Sequence, residues 1–331
     1  MSEPEASSST GDPETGVDLS IVICLYFEED CVEECIRRLH EELDGHDLTY
    51  EVVFVDDGSR DRTVEIVERI ARLDPRLKLI VLSRNHGKPA AVTAGIAHAS
   101  GRAVLLMDPD LQDPPDRIVD FYRTLGEGYD LVLGVREGRR DRLSTRLGSK
   151  AFWGLLGWMT GLEIPPNLAV MRIFSRRFAR ELLRYGERVR FIEGIFMVIG
   201  LPRTTLSIEH RERFAGSSKF TLAKKVRLAV DAILAFSDRP IQLTVACGLV
   251  LLAFSGLYGV YLFARKLFFG IGLLGWTSTI LVVLFLGSVQ ILLLGIIGNY
   301  VGRIYTEAKA RPIYTVDRRI HYPSGPAEQE P

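Results

Sequence analysis

Cysteine is scarce in this chain, with four residues among 331. A disulfide scaffold of this length needs many more, so the sequence excludes a disulfide-rich fold. Cys31 and Cys35 are spaced i, i+4 on a predicted helix, but zinc needs two further ligands and only His40 and His46 follow nearby. We therefore expect buried core thiols rather than a zinc site.

An excess of charge of either sign is also missing. Lys and Arg total 41, Asp and Glu total 42, and the formal net charge is −1. This balance provides no global positive field, so we expect no nucleic-acid partner.

Two common sequence signals are lacking. Residues 1–17 are acidic and rich in Ser and Pro with no apolar core, which argues against a signal peptide and predicts a disordered tail. No Gly-rich loop of the GxxxxGK[ST] or GxGxxG type occurs in residues 18–240. That absence argues against a P-loop NTPase and against a dinucleotide-dependent dehydrogenase.

Charged residues are absent from two long stretches near the C-terminal end. Residues 241–264 carry none, and after Arg265 and Lys266 residues 267–302 carry none. About 20 apolar residues in a helix cross a hydrocarbon core of ~30 Å. We predict spans at 241–264 and 277–301, joined by an interfacial turn that carries Gly270, Gly272, Gly275 and Trp276. The alternative is a pair of buried core helices.

The orientation of these spans follows from the flanking charges. Lys and Arg are frequent before the first span and after the second, whereas the connection holds only Arg265 and Lys266. The positive-inside rule then predicts a multi-pass protein of the plasma (inner) membrane, with both termini and the remaining domain in the cytoplasm.

Strand and helix patterns alternate through the first 140 residues. Short apolar runs predict strands at 19–26, 50–57, 77–83, 102–108 and 130–136. Apolar residues at helical spacing separate them. Repeated βα units predict an α/β domain with a mainly parallel sheet and helices on both faces.

Polar residues follow the first four predicted strands, at 26–28, 56–59, 83–88 and 108–112. Ligands of such sheets bind beyond the carboxyl ends of the strands. Asp108, Asp110 and Gln112 stand at alternate positions, and carboxylate and amide oxygens suit Mg²⁺ or Mn²⁺. We therefore predict a ligand that requires a cation. The alternative is a loop whose aspartates cap the next helix.

Six strings occur along the chain: VVFVDDGSRDRT, LSRNHGKPAAVTAGIAHASG, LLMDPDLQDPP, EGYDLVLGVR, RERFAGSSKF and GIIGNYVGRIYTEAKARPIY. Together they resemble the polyisoprenyl-phosphate glycosyltransferases of glycosyltransferase family 2, over roughly residues 18–320. The resemblance implies a GT-A fold, a nucleotide-sugar donor that we expect to be UDP-linked, Mg²⁺ or Mn²⁺, and a polyprenyl-phosphate acceptor in the lipid bilayer. It implies inversion at the anomeric carbon and leads us to expect a homo-oligomer.

The resemblance also assigns donor-binding residues. Asp57 matches the aspartate that contacts the nucleotide base, and Glu28 matches the glutamate of the first loop. Tyr26, two residues before Glu28, is assigned to the same donor site. The residues that match the metal and diphosphate site are Asp108, Asp110 and Gln112.

Catalytic roles are implied in the same way. Arg136 matches an arginine that faces the gap between donor and acceptor. Asp110 of the metal site is assigned a catalytic role as well. Arg213 and Lys219 match residues that hold the acceptor phosphate, and both cations suit a phosphate. For these last two the alternative is a juxtamembrane cluster that binds anionic lipid.

The chain departs from the family pattern where a catalytic base is often proposed. Asn167 and Val170 stand where many relatives carry aspartates. A phosphate monoester has a second pKa near ~6 and is mostly dianionic at neutral pH, so it is already a nucleophile. Glu193 is the remaining candidate base, but we expect it to pair with Arg190 or another exposed arginine.

These patterns divide the chain into a tail (1–17), a GT-A domain (18–210), a juxtamembrane segment (211–240), a transmembrane hairpin (241–302) and a cytoplasmic tail (303–331). Basic, apolar segments at 142–161 and 223–236 predict helices on the membrane surface, with core helices as the alternative. The predicted activity is metal-dependent transfer of one sugar to a polyprenyl phosphate. The alternatives are the same fold acting on another lipid or glycan acceptor, and a catalytically degenerate membrane scaffold.

Overall fold

The computed structural model describes residues 16–137, 154, 157–165, 167–188, 190–209, 233–269 and 275–322. Its first part alternates strands and helices, as predicted. These elements are β1 (Leu19–Leu25), α1 (Val32–Leu43), β2 (Tyr50–Asp56), α2 (Thr63–Ala71), β3 (Leu77–Leu82), α3 (Lys88–His98), β4 (Ala103–Met107), α4 (Ile118–Gly126) and β5 (Leu131–Glu137). All five predicted strands are confirmed to within one residue at each end.

The second part of the described chain contains three strands that the sequence analysis did not predict. Its elements are β6 (Leu168–Ser175), α5 (Arg176–Arg184), α6 (Ile192–Val198), β7 (Arg203–Glu209), α7 (Arg239–Phe269), α8 (Trp276–Ala308) and β8 (Val316–Ile320). The short α6 follows directly after the segment that carries Arg190.

The strands form one sheet in the order β7-β5-β6-β4-β1-β2-β3-β8. Four neighbouring pairs are parallel: β4 with β1, β1 with β2, β2 with β3, and β5 with β7. Strand β6 is antiparallel to both of its neighbours, and β8 is antiparallel to β3. The predicted fold class, a mainly parallel sheet followed by two long apolar helices, is confirmed.

Helices cover both faces of the sheet because alternate residues of each strand point to opposite sides. Ile21 and Ile23 face α1, α2 and α4, whereas Val22 faces α3, α5 and α6. The second face contains the rings of Phe174, Phe178 and Phe196, with centroids 5.3–5.5 Å apart. Truncation of one such ring to alanine typically costs ~3–5 kcal/mol.

The cysteines of α1 belong to this core, as predicted. Cys31 and Cys35 are both buried, and burial raises the pKa of the Cys35 thiol to about 12. The thiol is therefore neutral at physiological pH and behaves as a small apolar side chain.

Strand β8 extends the sheet beyond the boundary that we predict at residue 210. It returns after the long helices and pairs with β3, with Leu79 opposite Ile320. Arg318 reaches Glu68 on α2 at 2.9 Å. An uncovered edge of a sheet presents unpaired N–H and C=O groups, and β8 satisfies those of β3.

The two long apolar helices are candidate membrane spans. The segments of suitable length and composition are Arg239–Phe268 and Val282–Ala308, with mean hydropathies of 2.0 and 2.2. Neither apolar window is buried inside the protein, so the alternative of two core helices is wrong. Arg265 and Lys266 lie within α7 rather than ending it, and Trp276 begins α8 instead of lying in a turn.

The entry to α7 contacts a predicted surface segment. The Arg239 guanidinium lies over the Trp158 ring, 4.8 Å from its centroid, and donates a hydrogen bond to the Trp158 carbonyl. Trp158 itself is 55% exposed. Most of the two segments predicted to lie on the membrane, 142–161 and 223–236, falls outside the described residues.

Candidate active site

A cavity of about 220 Å³ lies at the carboxyl ends of β1 and β4, against the start of α3. Its lining is Cys24, Leu25, Tyr26, Glu28, Asp57, Asn85, Gly87, Lys88, Ala91, Asp108, Pro109 and Asp110. The structure therefore brings together five of the residues predicted from the sequence, namely Tyr26, Glu28, Asp57, Asp108 and Asp110. This is the edge of the sheet at which a ligand is expected.

Asp57 organises one wall of the cavity. Its two carboxylate oxygens accept hydrogen bonds from the backbone N–H groups of His86 and Gly87, at 2.6 and 2.9 Å. Burial raises the pKa of the Asp57 carboxyl, and these two hydrogen bonds act in the opposite direction. The predicted contact with a nucleotide base stays a prediction, but Asp57 also fixes the loop that joins β3 to α3.

Gly58 allows the same loop to approach β2 closely. Its φ is +77°, and a Cβ atom at this position would lie 2.7 Å from backbone atoms of Arg84 and Asn85. Both the left-handed conformation and the close backbone contact require glycine. The string DDGS thus provides the carboxylate and the space that hold the loop at 84–87 in place.

Lys88 and Asp108 form an ion pair across the cavity. The Lys88 ammonium nitrogen lies 2.5 Å from Oδ1 of Asp108. Burial lowers the pKa of Lys88, but Asp108 more than compensates and the net pKa lies above its usual value. Lys88 belongs to the predicted polar segment 83–88, but no sequence pattern pointed to Asp108 as its partner.

Asp110 is buried, and its Oδ1 accepts the backbone N–H of Gln112 at 3.1 Å. Leu111 between them has a φ of +60°, so the chain turns sharply here. Gln112 is half-buried and is absent from the cavity lining. The three predicted metal ligands are therefore divided: Asp108 and Asp110 line the cavity, whereas Gln112 supplies its backbone to Asp110.

The lining carries four carboxylates, from Glu28, Asp57, Asp108 and Asp110. Within the described residues, no three His, Cys, Asp or Glu side chains are arranged to enclose a metal ion. Mg²⁺ and Mn²⁺ are commonly bound by one or two carboxylates together with substrate phosphates. A donor set of Asp108 and Asp110 fits such a cation, provided that a ligand supplies further oxygens.

Arg136 is held by a residue that the sequence argument overlooked. Its guanidinium donates to Oδ1 of Asp113, at 2.8 Å from Nη2, and the other oxygen of Asp113 accepts the backbone N–H of Met171 at 2.8 Å. Asp113 is 1% exposed. Arg136 lies outside the lining of the cavity, so its predicted position between donor and acceptor stays a prediction. The only sequence signal for Asp113 was its place in DPDLQDPP.

Arg172 is a second buried cation. It lies on β6, opposite Leu106 of β4, and its guanidinium lies 4.9 Å from the centroid of the Phe196 ring. It donates to two backbone carbonyls, but its Nη1 has no hydrogen-bond partner among the residues that the structure describes. Burial lowers the pKa of Arg172, whereas Glu193 and Asp108 raise it.

The position of Glu193 differs from the sequence expectation. Arg190 donates to Thr93 and to two backbone carbonyls, those of Glu187 and Tyr185. Glu193 instead acts electrostatically on Lys88 and Arg172. The expected pair with Arg190 is therefore wrong, because the Arg190 guanidinium is taken by Thr93 and backbone carbonyls. A pair of Glu193 with another arginine stays a prediction.

Asn167 and Val170, where relatives carry aspartates, contribute no carboxylate. Asn167 has a φ of +58°, which asparagine tolerates, and its carbonyl accepts the backbone N–H of Arg136 at 3.0 Å. Val170 packs against the apolar cluster on the α3 side of the sheet. The predicted acceptor residues Arg213 and Lys219 lie outside the described residues.

Comparison with known proteins agrees with this geometry. Residues 20–184 match the sequence profile of glycosyl transferase family 2. The chain is 37% identical over 303 residues to an uncharacterized glycosyltransferase, YkcC, of Bacillus subtilis (strain 168), covering 91% of this chain and 94% of that protein. The chain is a family 2 glycosyltransferase. It is also 34% identical over 299 residues to the bactoprenol glucosyl transferase of Shigella phage SfV, covering 90% of this chain and 97% of that enzyme.

Solved structures of more distant similarity include a mannosyltransferase from Pyrobaculum calidifontis in complex with GDP-Man and Mn²⁺. The two chains are 20% identical with a TM-score of 0.43, over 60% of this glycosyltransferase and 57% of that chain.

The role of Asp57 in the wall of the active site gives a stability prediction. In Asp57→Asn an amide N–H group would face a backbone N–H of His86 or Gly87 and leave a donor unsatisfied. We expect a loss of ~1–3 kcal/mol, measured as a lower Tm of the detergent-solubilised enzyme. Asp47→Asn is the matched control, because Asp47 is exposed in the loop before β2. Equal Tm values for the two variants would refute the role of Asp57.

Proposed function

We propose that this glycosyltransferase moves one sugar from a UDP-linked donor to a polyprenyl phosphate at the cytoplasmic face of the membrane, with inversion at the anomeric carbon. The observation that carries the proposal is the carboxylate-lined cavity at the strand ends, in a chain that continues into two helices long enough to span a membrane. Similarity to a bactoprenol glucosyl transferase along nearly the whole length supports the same acceptor class.

The donor would bind in the cavity with its diphosphate near Asp108 and Asp110. These two carboxylates would hold Mg²⁺ or Mn²⁺, and the bound cation neutralises the charge that develops on the leaving diphosphate. Asp57 and the loop that it fixes would border the nucleoside. Lys88, at the start of α3, provides the one ammonium group among the described residues that line the cavity.

The acceptor would approach from the bilayer side. Arg213 and Lys219 are proposed to hold its phosphate, because two cations offset the cost of bringing a dianion into the site. The dianion is itself the nucleophile, so the loss of the aspartates at Asn167 and Val170 need not abolish transfer. A homo-oligomer is also expected for this enzyme.

The direct test supplies membranes containing the enzyme with a panel of labelled nucleotide sugars and polyprenyl phosphate, followed by lipid extraction. We expect one labelled lipid product, formed only with a divalent cation. Asp110→Ala should lower its rate by roughly a hundredfold or more, because the leaving group loses stabilisation. Asp47→Ala is the matched control. Full activity of Asp110→Ala in EDTA would exclude the metal assignment, and the absence of any lipid product would exclude the acceptor class.

A base-free mechanism predicts a particular pH dependence. The transfer rate should fall below about pH 6 as the acceptor phosphate becomes a monoanion. Glu193→Gln should keep most of the activity and the same acidic limb in a pH–rate profile. If Glu193→Gln removes transfer while UDP and Mn²⁺ still bind, Glu193 is the base and the mechanism is wrong.

The proposed orientation can be tested by cysteine labelling of intact cells. A cysteine placed at Gly270, in the connection between the spans, should react with an impermeant reagent from outside. A cysteine placed at Ser324 should react only after the cells are opened, since the basic flanks keep both termini inside. Labelling of Ser324 in intact cells would reverse the proposed topology.

A further inference from the structure

The ion pair between Lys88 and Asp108 places a cation at the position that the proposed metal would need. Lys88 Nζ lies 2.5 Å from Oδ1 of Asp108. The Lys88 side chain is 48% exposed and that of Asp108 is 25% exposed, so both are accessible from the cavity. In the donor-free enzyme the lysine therefore neutralises one of the two carboxylates proposed as metal ligands.

We propose that Lys88 is an exchangeable counter-ion: it holds Asp108 when the site is empty of donor, and moves to the donor diphosphate when a divalent cation occupies Asp108. The inference rests on the proposed function, because it requires a diphosphate donor and a cation. Lys88 thereby becomes a catalytic residue that contacts the leaving group.

The exchange follows from charge and reach. An ammonium group and a divalent cation repel each other and cannot both lie against one carboxylate oxygen without a large cost. Lysine is a point charge on a flexible stem of four carbons, and the side chain of Lys88 is 48% exposed. Displacement from Asp108 therefore needs only rotation of the stem, with no change in the fold.

The destination of the displaced ammonium is set by the anions around it. Glu193 acts electrostatically on Lys88 from α6, and the donor diphosphate would lie beside the cation in the same cavity. The diphosphate carries more negative charge than Glu193, and phosphate oxygens form strong charge-assisted hydrogen bonds with ammonium groups. A move to Glu193 alone would leave donor affinity independent of Lys88, so the two destinations can be distinguished.

The test measures two affinities of the full-length enzyme in detergent micelles. Binding of Mn²⁺ without nucleotide is followed by the EPR signal of the free ion, and binding of UDP at saturating Mn²⁺ is followed by calorimetry. Lys88→Met should bind Mn²⁺ about tenfold more tightly, because no ammonium competes, and should bind UDP about tenfold more weakly. The opposite signs distinguish the exchange from general damage to the site.

Two controls complete the experiment. Lys88→Arg keeps a cation and should lose less UDP affinity than Lys88→Met, without the gain in Mn²⁺ affinity. Lys309→Met removes the same charge just after α8, where the ammonium lies over the Tyr305 ring, and should match the wild type in both assays. Unchanged Mn²⁺ or UDP affinity in Lys88→Met would overturn the exchange while leaving the proposed function intact. A wild-type enzyme that binds no UDP with Mn²⁺ would overturn both.

Discussion

The position of β1 in the sheet determines where this enzyme can bind a ligand. β1 pairs in parallel with β2 on one side and with β4 on the other. The chain therefore leaves β1 in one direction and later returns to its opposite side, which opens a crevice at the carboxyl ends of β1 and β4. Every side chain of the cavity reaches the site from a segment that ends or begins at this crevice.

Negative charge is the second constraint, and it follows from the first. The loops after β1, β2 and β4 each bring at least one carboxylate to the crevice. Carboxylates that lie close together repel one another, so each is harder to ionise unless a nearby cation or N–H group offsets the repulsion. Asp57 is compensated by backbone N–H groups and Asp108 by Lys88. The site is thus built so that compensation is fixed at Asp57 and exchangeable at Asp108.

The predictable part of the fold is the part with a strong apolar pattern. Strands β1 to β5 are continuous apolar runs because both of their faces are covered, and they were predicted to within one residue at each end. Strand β8 reads VDRRI and lies at an edge of the sheet with its charged residues exposed. It therefore has no apolar run from which a strand could be predicted. Strand β7, RTTLSIE, is an edge strand of the same kind. Edge strands carry charge and little apolar surface, and the sequence alone does not separate them from loops.

The candidate site, like the sheet, could be predicted from the sequence only in part. Motifs identified the carboxylates that line the cavity, because each follows a strand that the apolar pattern located. The partners of those groups were not predictable, since Lys88 and Asp108 are 20 residues apart and Asp113 reaches Met171 through the antiparallel β6. Glu193 shows the same limit: Arg190 is its neighbour in the sequence, but the Arg190 guanidinium donates to Thr93 and to backbone carbonyls instead.

The return of β8 to β3 has a consequence for the order in which the enzyme is made. Leu79 pairs with Ile320, and both apolar helices lie between them in the chain. The ribosome must therefore synthesise the entire hairpin before the last strand of the sheet exists, and the edge of β3 stays open until then. Pairing between such distant segments is slow and leaves an edge available to other chains. The sheet of the catalytic domain is thus completed only after both apolar helices have been synthesised, and a chain that stops before β8 leaves β3 unprotected.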